Sequence, residues 1–321
     1  MPPALASLVG LNYARENERE ITEVAAMSEP TAMRGRVPVP SPATGPVLPG
    51  STVRLALFQG RAEPLDLAAN LAVLDEAARE ARAAGADLLL TPELFATGYA
   101  PELIRDSVSA GAAADLDRDL AGIAARHDIA LVYSAPGPGP ADDRGIASAL
   151  VDRTGRVVTR YAKSHLFGAE ERASFRPGAA PPPVVDFLGL KIALLICYDV
   201  EFPEVVRDAA LHGATLVLVP TALTRGYENV ARVLVPARAL ENAVTVAYAN
   251  HVGVEAGLDL AGASVIVGPD GNIVADAGRA TGLSYATVTA AGPDVDYLAD
   301  RRPELYRSWT DAEHERGSRP D

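Results

Sequence analysis

The chain reads as an α/β protein folded as a four-layer αββα sandwich, and three features of the sequence predict it. Strand-length apolar runs alternate with helical stretches; the order of elements in the first half recurs in the second; and each half closes on two strands joined by a tight turn. Alternation of this kind gives mixed sheets with helices on one face, and each sheet must then bury its other face on something apolar. The two halves supply that surface for each other. Pattern alone keeps a parallel sheet with helices on both faces as the alternative, because a sequence does not assign each helix to a face. The half-repeat favours the sandwich.

The folded part is expected to begin near Thr52, where VRLALFQ has the alternation of a strand. An alanine-rich helix follows from Asp66 to Ala84, stopped by Gly85. Strand DLLL comes next, then a helix around Asp115 to His127 and strand IALVYSA. Strands IASALVD and RVVTRY, joined across Arg153-Thr154-Gly155, end the first half. In the second half KIALLIC is a strand, Pro203 to Gly213 a helix with proline at its start, TLVLVP a strand, Asn229 to Glu241 a helix and VTVAYAN a strand. ASVIVG and NIVADA then form a hairpin across Pro269-Asp270-Gly271.

Residues 1–50 contain the Pro-rich PVPSPATGPVLPG and no sustained apolar periodicity, so a flexible extension is expected there, then one domain over 51–292. Residues 293–321 are charged apart from Tyr297, Leu298, Leu305, Tyr306 and Trp309, a set suited to packing at a subunit interface. The competing reading is that this segment folds back on its own subunit. A formal net charge of −13 leaves no electrostatic footprint for nucleic acid or an anionic membrane. No apolar run approaches the roughly eighteen residues that a membrane helix needs. The start lacks a basic region ahead of its brief apolar stretch and makes a poor signal peptide. One cysteine excludes an internal disulfide and suits a reducing compartment, so the cytoplasm is expected. The five histidines form no short-spaced pair with each other or with that cysteine; no metal site and no cofactor are expected.

The lone cysteine, Cys197, lies where the apolar run of KIALLICYDVEFPE gives way to polar residues ahead of the helix-starting Pro203. Strand-to-helix corners at the carboxyl ends of sheet strands are where α/β folds bind ligands, and a nearby helix N-terminus favours a thiolate. A buried structural thiol is the alternative. Two further stretches bear on the choice. TPELFATGY puts Glu93 just past strand DLLL, and RYAKSHLFGAEERASFRPG puts Lys163 just past strand GRVVTRY, where a surface charge run would not normally be punctuated by proline, glycine and aromatics.

Together PELFATGY, YAKSHLFG and ICYDVEFPE, with the later RALENAVTVAYANHVG, resemble the nitrilase superfamily of carbon–nitrogen hydrolases over about Thr52 to Ala290. The resemblance implies the αββα sandwich and a triad of Glu93, Lys163 and Cys197. Glu93 would take the thiol proton and later activate water, its pKa raised toward the working range if it is buried beside Leu94 and Phe95. Lys163 and the backbone N–H of Tyr198 would stabilise the anion formed on attack. A second glutamate often follows the lysine in this family; Glu171 is the choice over Glu170, because Arg172, Phe175 and Pro177-Gly178 match the usual spacing. Tyr99, Tyr198 and Thr221 sit where a substrate would pass, His165 and Phe167 are expected to pack the lysine loop, Asp199 and Glu204 to serve the corner, and Arg238, Glu241 and Asn242 to form an ion pair or cap.

True nitrilases usually carry Trp-Glu after the cysteine, whereas this chain has Tyr198-Asp199 and then Phe202-Pro203-Glu204, as in amidase branches. Hydrolysis of a small linear amide to acid and ammonia through a thioester is the expected reaction. N-carbamoyl amine hydrolysis and nitrile hydrolysis are the alternatives, and a catalytically silent binding protein of the same fold is the alternative outside enzymes. The resemblance also implies a homodimer or larger homo-oligomer.

Overall fold

Successive residues of each central strand point into different layers, and that alternation builds the molecule. The computed structural model describes residues 51–290, 295 and 297–306; the expected N-terminal extension, Trp309 and the rest of the C-terminal segment lie outside the described residues. The first sheet takes β1 (Thr52–Gln59), β2 (Leu88–Leu90), β3 (Ala130–Pro136), β4 (Ile146–Val151), β5 (Val157–Ala162) and, from far along the chain, β14 (Gly282–Thr289). The second takes β6 (Val184–Phe187), β7 (Leu190–Leu194), β8 (Leu216–Pro220), β9 (Thr245–Ala249), β12 (Val265–Val267) and β13 (Ile273–Asp276). Leu55, Leu57, Leu88, Leu90 and Val132 of the first sheet share one core with Ile192, Leu194, Leu216, Leu218 and Ile266 of the second. Their neighbours face outward. Ala56, Phe58, Leu89 and Leu131 pack on α1 (Leu67–Ala83) and α3 (Ala110–His127), and Ala193, Leu195, Val217 and Val246 pack on α5 (Pro203–Leu211) and α6 (Val235–Asn242). Slipping any of these strands by one residue would exchange its two faces, so the register is strongly specified.

The sheet orders, β14-β1-β2-β3-β4-β5 and β6-β7-β8-β9-β12-β13, make the half-repeat visible. In each, three parallel strands carry two antiparallel strands on one side and one antiparallel strand on the other. Register shifts at Leu150/Val151 and at Ile266/Val267 fall in the last pair of each half.

The two outer strands β6 and β14 were not anticipated, and neither were α2 (Pro101–Ser107), α4 (Gly168–Ser174) or the hairpin of β10 (Val252–Glu255) and β11 (Leu258–Ala261). Helix α3 starts earlier than expected because Ser109 caps it, its Oγ accepting from Ala112 N at 3.1 Å. The helix expected from Asn229 opens instead with a π turn, Val230–Leu234, before α6. Pro236 has no N–H to give the carbonyl of Arg232, and a widened turn accommodates that gap.

Candidate active site

Three strand ends deliver the site. Past β2, Glu93 donates its backbone N–H to the Thr221 carbonyl of the second half at 3.2 Å. Leu94 then adopts a left-handed φ of 53°, and a short 3₁₀ turn, Phe95–Thr97, leads to Gly98. Gly98 is required: its φ is +70° and a Cβ there would stand 2.8 Å from Pro64 Cα. Past β5, Lys163 is fixed by N–H donation to the Ile146 carbonyl at 2.9 Å and by acceptance from Gly178 N at 2.7 Å. Past β7, Cys197 has φ 46°, which turns the chain sharply into a 3₁₀ segment, Cys197–Glu201.

Asp199 joins the second of these strand ends to the third. Its Oδ2 accepts from Ile196 N at 3.2 Å and from the Tyr161 hydroxyl at 3.0 Å, and its Oδ1 accepts from His165 N at 2.9 Å and faces His165 Nδ1 at 2.9 Å. The cysteine turn and the lysine loop therefore share one buried carboxylate. Arg238 holds the other end of the turn, donating to the carbonyls of Val200 at 3.1 Å and Glu201 at 2.6 Å as well as pairing with Glu241 at 3.1 Å. Asn242 caps back onto the Arg238 carbonyl at 2.9 Å.

Lys163 is fully buried between two glutamates. Its Nζ donates to Glu93 Oε1 at 2.8 Å and to Glu171 Oε1 and Oε2 at 2.7 and 2.8 Å. Glu171 also accepts from Tyr99 OH at 2.6 Å and Phe167 N at 2.8 Å, which fixes both of its oxygens. Glu93 Oε2, by contrast, is buried with no protein partner of ordinary hydrogen-bond length among the described residues. Burial drives the Glu93 pKa up to about 7, against the pull of the Lys163 ammonium and with the help of the Glu171 carboxylate. Burial also works against the charge on Lys163, but Glu171 and Glu93 hold the ammonium protonated far above the usual lysine range. The Cys197 thiol is pushed up by burial and by the nearby Glu93 carboxylate, with Lys163 opposing. That corrects the expectation of a thiolate favoured by a helix N-terminus: α5 begins only after the 3₁₀ turn, and burial, with Glu93, holds the thiol protonated.

The other expected contacts divide. Tyr99 is buried and spends its hydroxyl on Glu171. Thr221 is buried too, donating to Tyr248 OH at 2.9 Å while its carbonyl fixes Glu93. Tyr198 is half-buried, edge-on to Phe167 at 5.2 Å and to Phe202 at 4.9 Å, with Tyr227 6.5 Å beyond Phe167. Glu170 is exposed, which separates it from Glu171. Sequence reasoning passed over Tyr227, the half-buried Glu201 and the buried His251 and Glu255. Of these Glu201 and His251 fell in quoted motifs, and nothing there marked Glu201 as a site residue or His251 as a partner of Glu93. Among the described residues no group of three His, Cys, Asp or Glu side chains is arranged to hold a metal, and no helix is long and apolar enough to cross a membrane.

A family model described as carbon-nitrogen hydrolase matches residues 54–292. The chain belongs to the carbon–nitrogen hydrolase family. The "Hydrolase in pqqF 5'region" of Pseudomonas protegens is 41% identical over 79% of this chain and 91% of its own length. The crystal structure of an amidase from Nesterenkonia sp. superposes with a TM-score of 0.78 at 49% identity, covering 83% of this chain and 99% of that one. A variant of the Nesterenkonia sp. AN1 amidase, 50% identical with a TM-score of 0.78 over 83% of this chain and 100% of its own, shows covalent addition of the acetamide moiety of fluoroacetamide at the active site cysteine. The carbon–nitrogen hydrolase is thus an amidase-like member of the nitrilase superfamily, with the sandwich fold that its sequence implied.

Proposed function

We propose that this hydrolase cleaves a small linear amide to a carboxylic acid and ammonia through a thioester on Cys197. One observation carries the reading: one Glu93 oxygen is held by Lys163, the other is buried with no protein partner of ordinary hydrogen-bond length among the described residues, and the Glu93 carboxyl bonds to the Cys197 thiol, whose proton it is suited to accept. Glu93 takes the Sγ proton as sulfur attacks the carbonyl carbon. The negative charge formed on the carbonyl oxygen meets the Lys163 ammonium and the Tyr198 N–H. An ammonium has three N–H bonds, and Lys163 already gives them to three carboxylate oxygens, so the oxyanion displaces one of the two Glu171 contacts. Glu93 then returns the proton to the leaving ammonia, and in the second half-reaction it takes a proton from water as the thioester is hydrolysed. Glu171 and Tyr99 orient the lysine, and Tyr198 and Thr221 border the substrate.

Ammonia release measured across small amides, nitriles and N-carbamoyl amines tests the reaction. Amides are expected to turn over fastest; nitriles fastest would sink the reading. The base assignment has its own test in pH. Only the Glu93 carboxylate accepts the thiol proton, so acylation is expected to rise with pH through about 7 and to level off above it. Stability runs the opposite way. Because the fold binds this proton more tightly than the unfolded chain does, the contribution is complete below the unfolded value and is lost as pH rises through 7. Glu93→Gln is therefore expected to lose acylation by about 10²–10⁴-fold, yet to melt above the wild-type enzyme at pH 8. Wild-type acylation in Glu93→Gln would remove Glu93 from the role.

The reading extends to the rest of the chain. We take residues 51–292 as the hydrolase domain behind an N-terminal extension of 1–50, and the cytoplasm as its compartment. Exposed Tyr297 and Tyr306 support assembly through the C-terminal segment. Light scattering is expected to report at least a dimer, and a monomer at all working concentrations would reject this.

A further inference from the structure

The segment from Glu93 to Tyr99 carries the proposed base at one end and the tyrosine that holds Glu171 at the other. It is also strained at Leu94, whose φ is 53°, and turns at Gly98 with φ 70°. Such conformations persist where the surroundings over-determine them. Here the surroundings are a buried histidine just before strand β10 and a buried glutamate at its last position, neither used by the mechanism above. His251 Nε2 donates to the Glu93 carbonyl at 2.6 Å, and its Nδ1 faces Glu255 Oε1 at 2.8 Å. Glu255 Oε1 also accepts from Ala62 N at 2.8 Å, and Oε2 from Tyr99 N at 3.4 Å. The imidazole lies stacked on Phe95, ring centroids 5.3 Å apart, and both side chains are shut off from solvent.

Both ring nitrogens face acceptors only, a carbonyl and a carboxylate, so both carry hydrogen and the ring is an imidazolium paired with Glu255. We propose that His251 and Glu255 form a positioning pair that clamps this segment at both ends and aims the Glu93 carboxyl at the thiol. His251 acts on the backbone carbonyl that precedes the left-handed Leu94; Glu255 acts on the N–H of Tyr99. Charge-assisted bonds of this kind are roughly twice as strong as neutral ones. The pair touches no reacting atom, and its effect is on where Glu93 points.

The inference rests on Glu93 being the base, and the experiment separates the two. Near-ultraviolet circular dichroism gives the folded fraction of each variant, and kcat is expressed per folded site. His251→Leu removes both donors; kcat per site is expected to fall about 10–100-fold, the usual penalty for misplacing a catalytic group by about an ångström, with KM changed by less than about threefold. His251→Gln keeps one N–H for the Glu93 carbonyl and is expected to recover roughly five- to tenfold, the net value of one hydrogen bond. Equal losses in the two variants, or wild-type kcat per site in His251→Leu whatever its melting temperature, would overturn the proposal. If His251→Leu does not fold, Glu255→Gln decides. It removes the charge of the pair and leaves the shared Oε1 position unable both to accept from Ala62 N and to donate to a neutral imidazole, and a loss of about two- to tenfold in kcat per site at unchanged KM is expected. An unchanged kcat overturns the clamp. Wild-type acylation in Glu93→Gln would instead show that the base was misassigned, leaving the two failures distinguishable.

Discussion

Cys197→Ala is expected to abolish amide turnover, a loss on the order of 10⁶ by analogy with removal of a catalytic nucleophile, while the protein stays folded. The reason is chemical: without sulfur no thioester forms, and the only other attacking group is water, which Glu93 would have to activate against a full amide. The fold is expected to survive because the thiol is one small group at the edge of the inter-sheet core, and alanine meets the same left-handed φ of 46° with no larger Cβ than cysteine has. Cys197→Ser should fare little better, since a serine hydroxyl is far harder to deprotonate than a thiol by a base with a pKa of about 7. Intact-mass analysis during turnover gives a direct check. The wild-type chain should show an acyl increment that disappears on Cys197→Ala, and ammonia release at the wild-type rate by the alanine variant would reject covalent catalysis.

Lys163→Met acts on both rate and stability. Acylation should fall about 10²–10³-fold if the ammonium serves as one oxyanion donor. The stability loss follows from what remains. Glu93 and Glu171, both fully buried, would face each other without the cation that bridges them, and leaving buried charge unpaired typically costs about 3–5 kcal/mol. Glu93, already raised by burial, would then hold its proton still more tightly in the fold than in the unfolded chain. The deficit is therefore expected to be small near pH 5 and to grow as pH rises toward 8. Melting temperatures across that range, with single-turnover acylation at each pH, test it; a pH-independent deficit would mean that packing, not charge, is what the lysine supplies. In the Glu93→Gln/Lys163→Met double variant the rate losses should fall short of their product, because the two groups act as one unit.

The four residues that meet at Lys163 Nζ and the thiol differed in how readable they were. Glu93, Lys163 and Cys197 each interrupt the chain just past an apolar strand, and a strand end is a position that periodicity locates. Glu171 lies in a short helix with no apolar pattern; only the family spacing distinguished it from Glu170, and burial now separates the two. His251 and Glu255 left no local trace, since their partners Ala62, Glu93 and Tyr99 lie more than a hundred residues away in sequence. The same physics explains the strands that were missed. β14 is largely half-exposed and mixes polar with apolar residues, so its identity comes from pairing with β1 rather than from its own pattern. Strands β1, β2, β7 and β8 were legible because both of their faces are covered, which demands near-continuous apolar sequence.

Glu93 and Lys163 leave the first sheet and Cys197 leaves the second, with the inter-sheet core packed beside them. Neither half encloses these groups alone. During refolding, each sheet with its own helices can form while Cys197 still lies open to solvent, and the sulfur becomes shielded only when the two apolar faces dock. The chain thus carries its own chemical clock: the moment at which its one thiol stops reacting with an external reagent marks the association of its two halves.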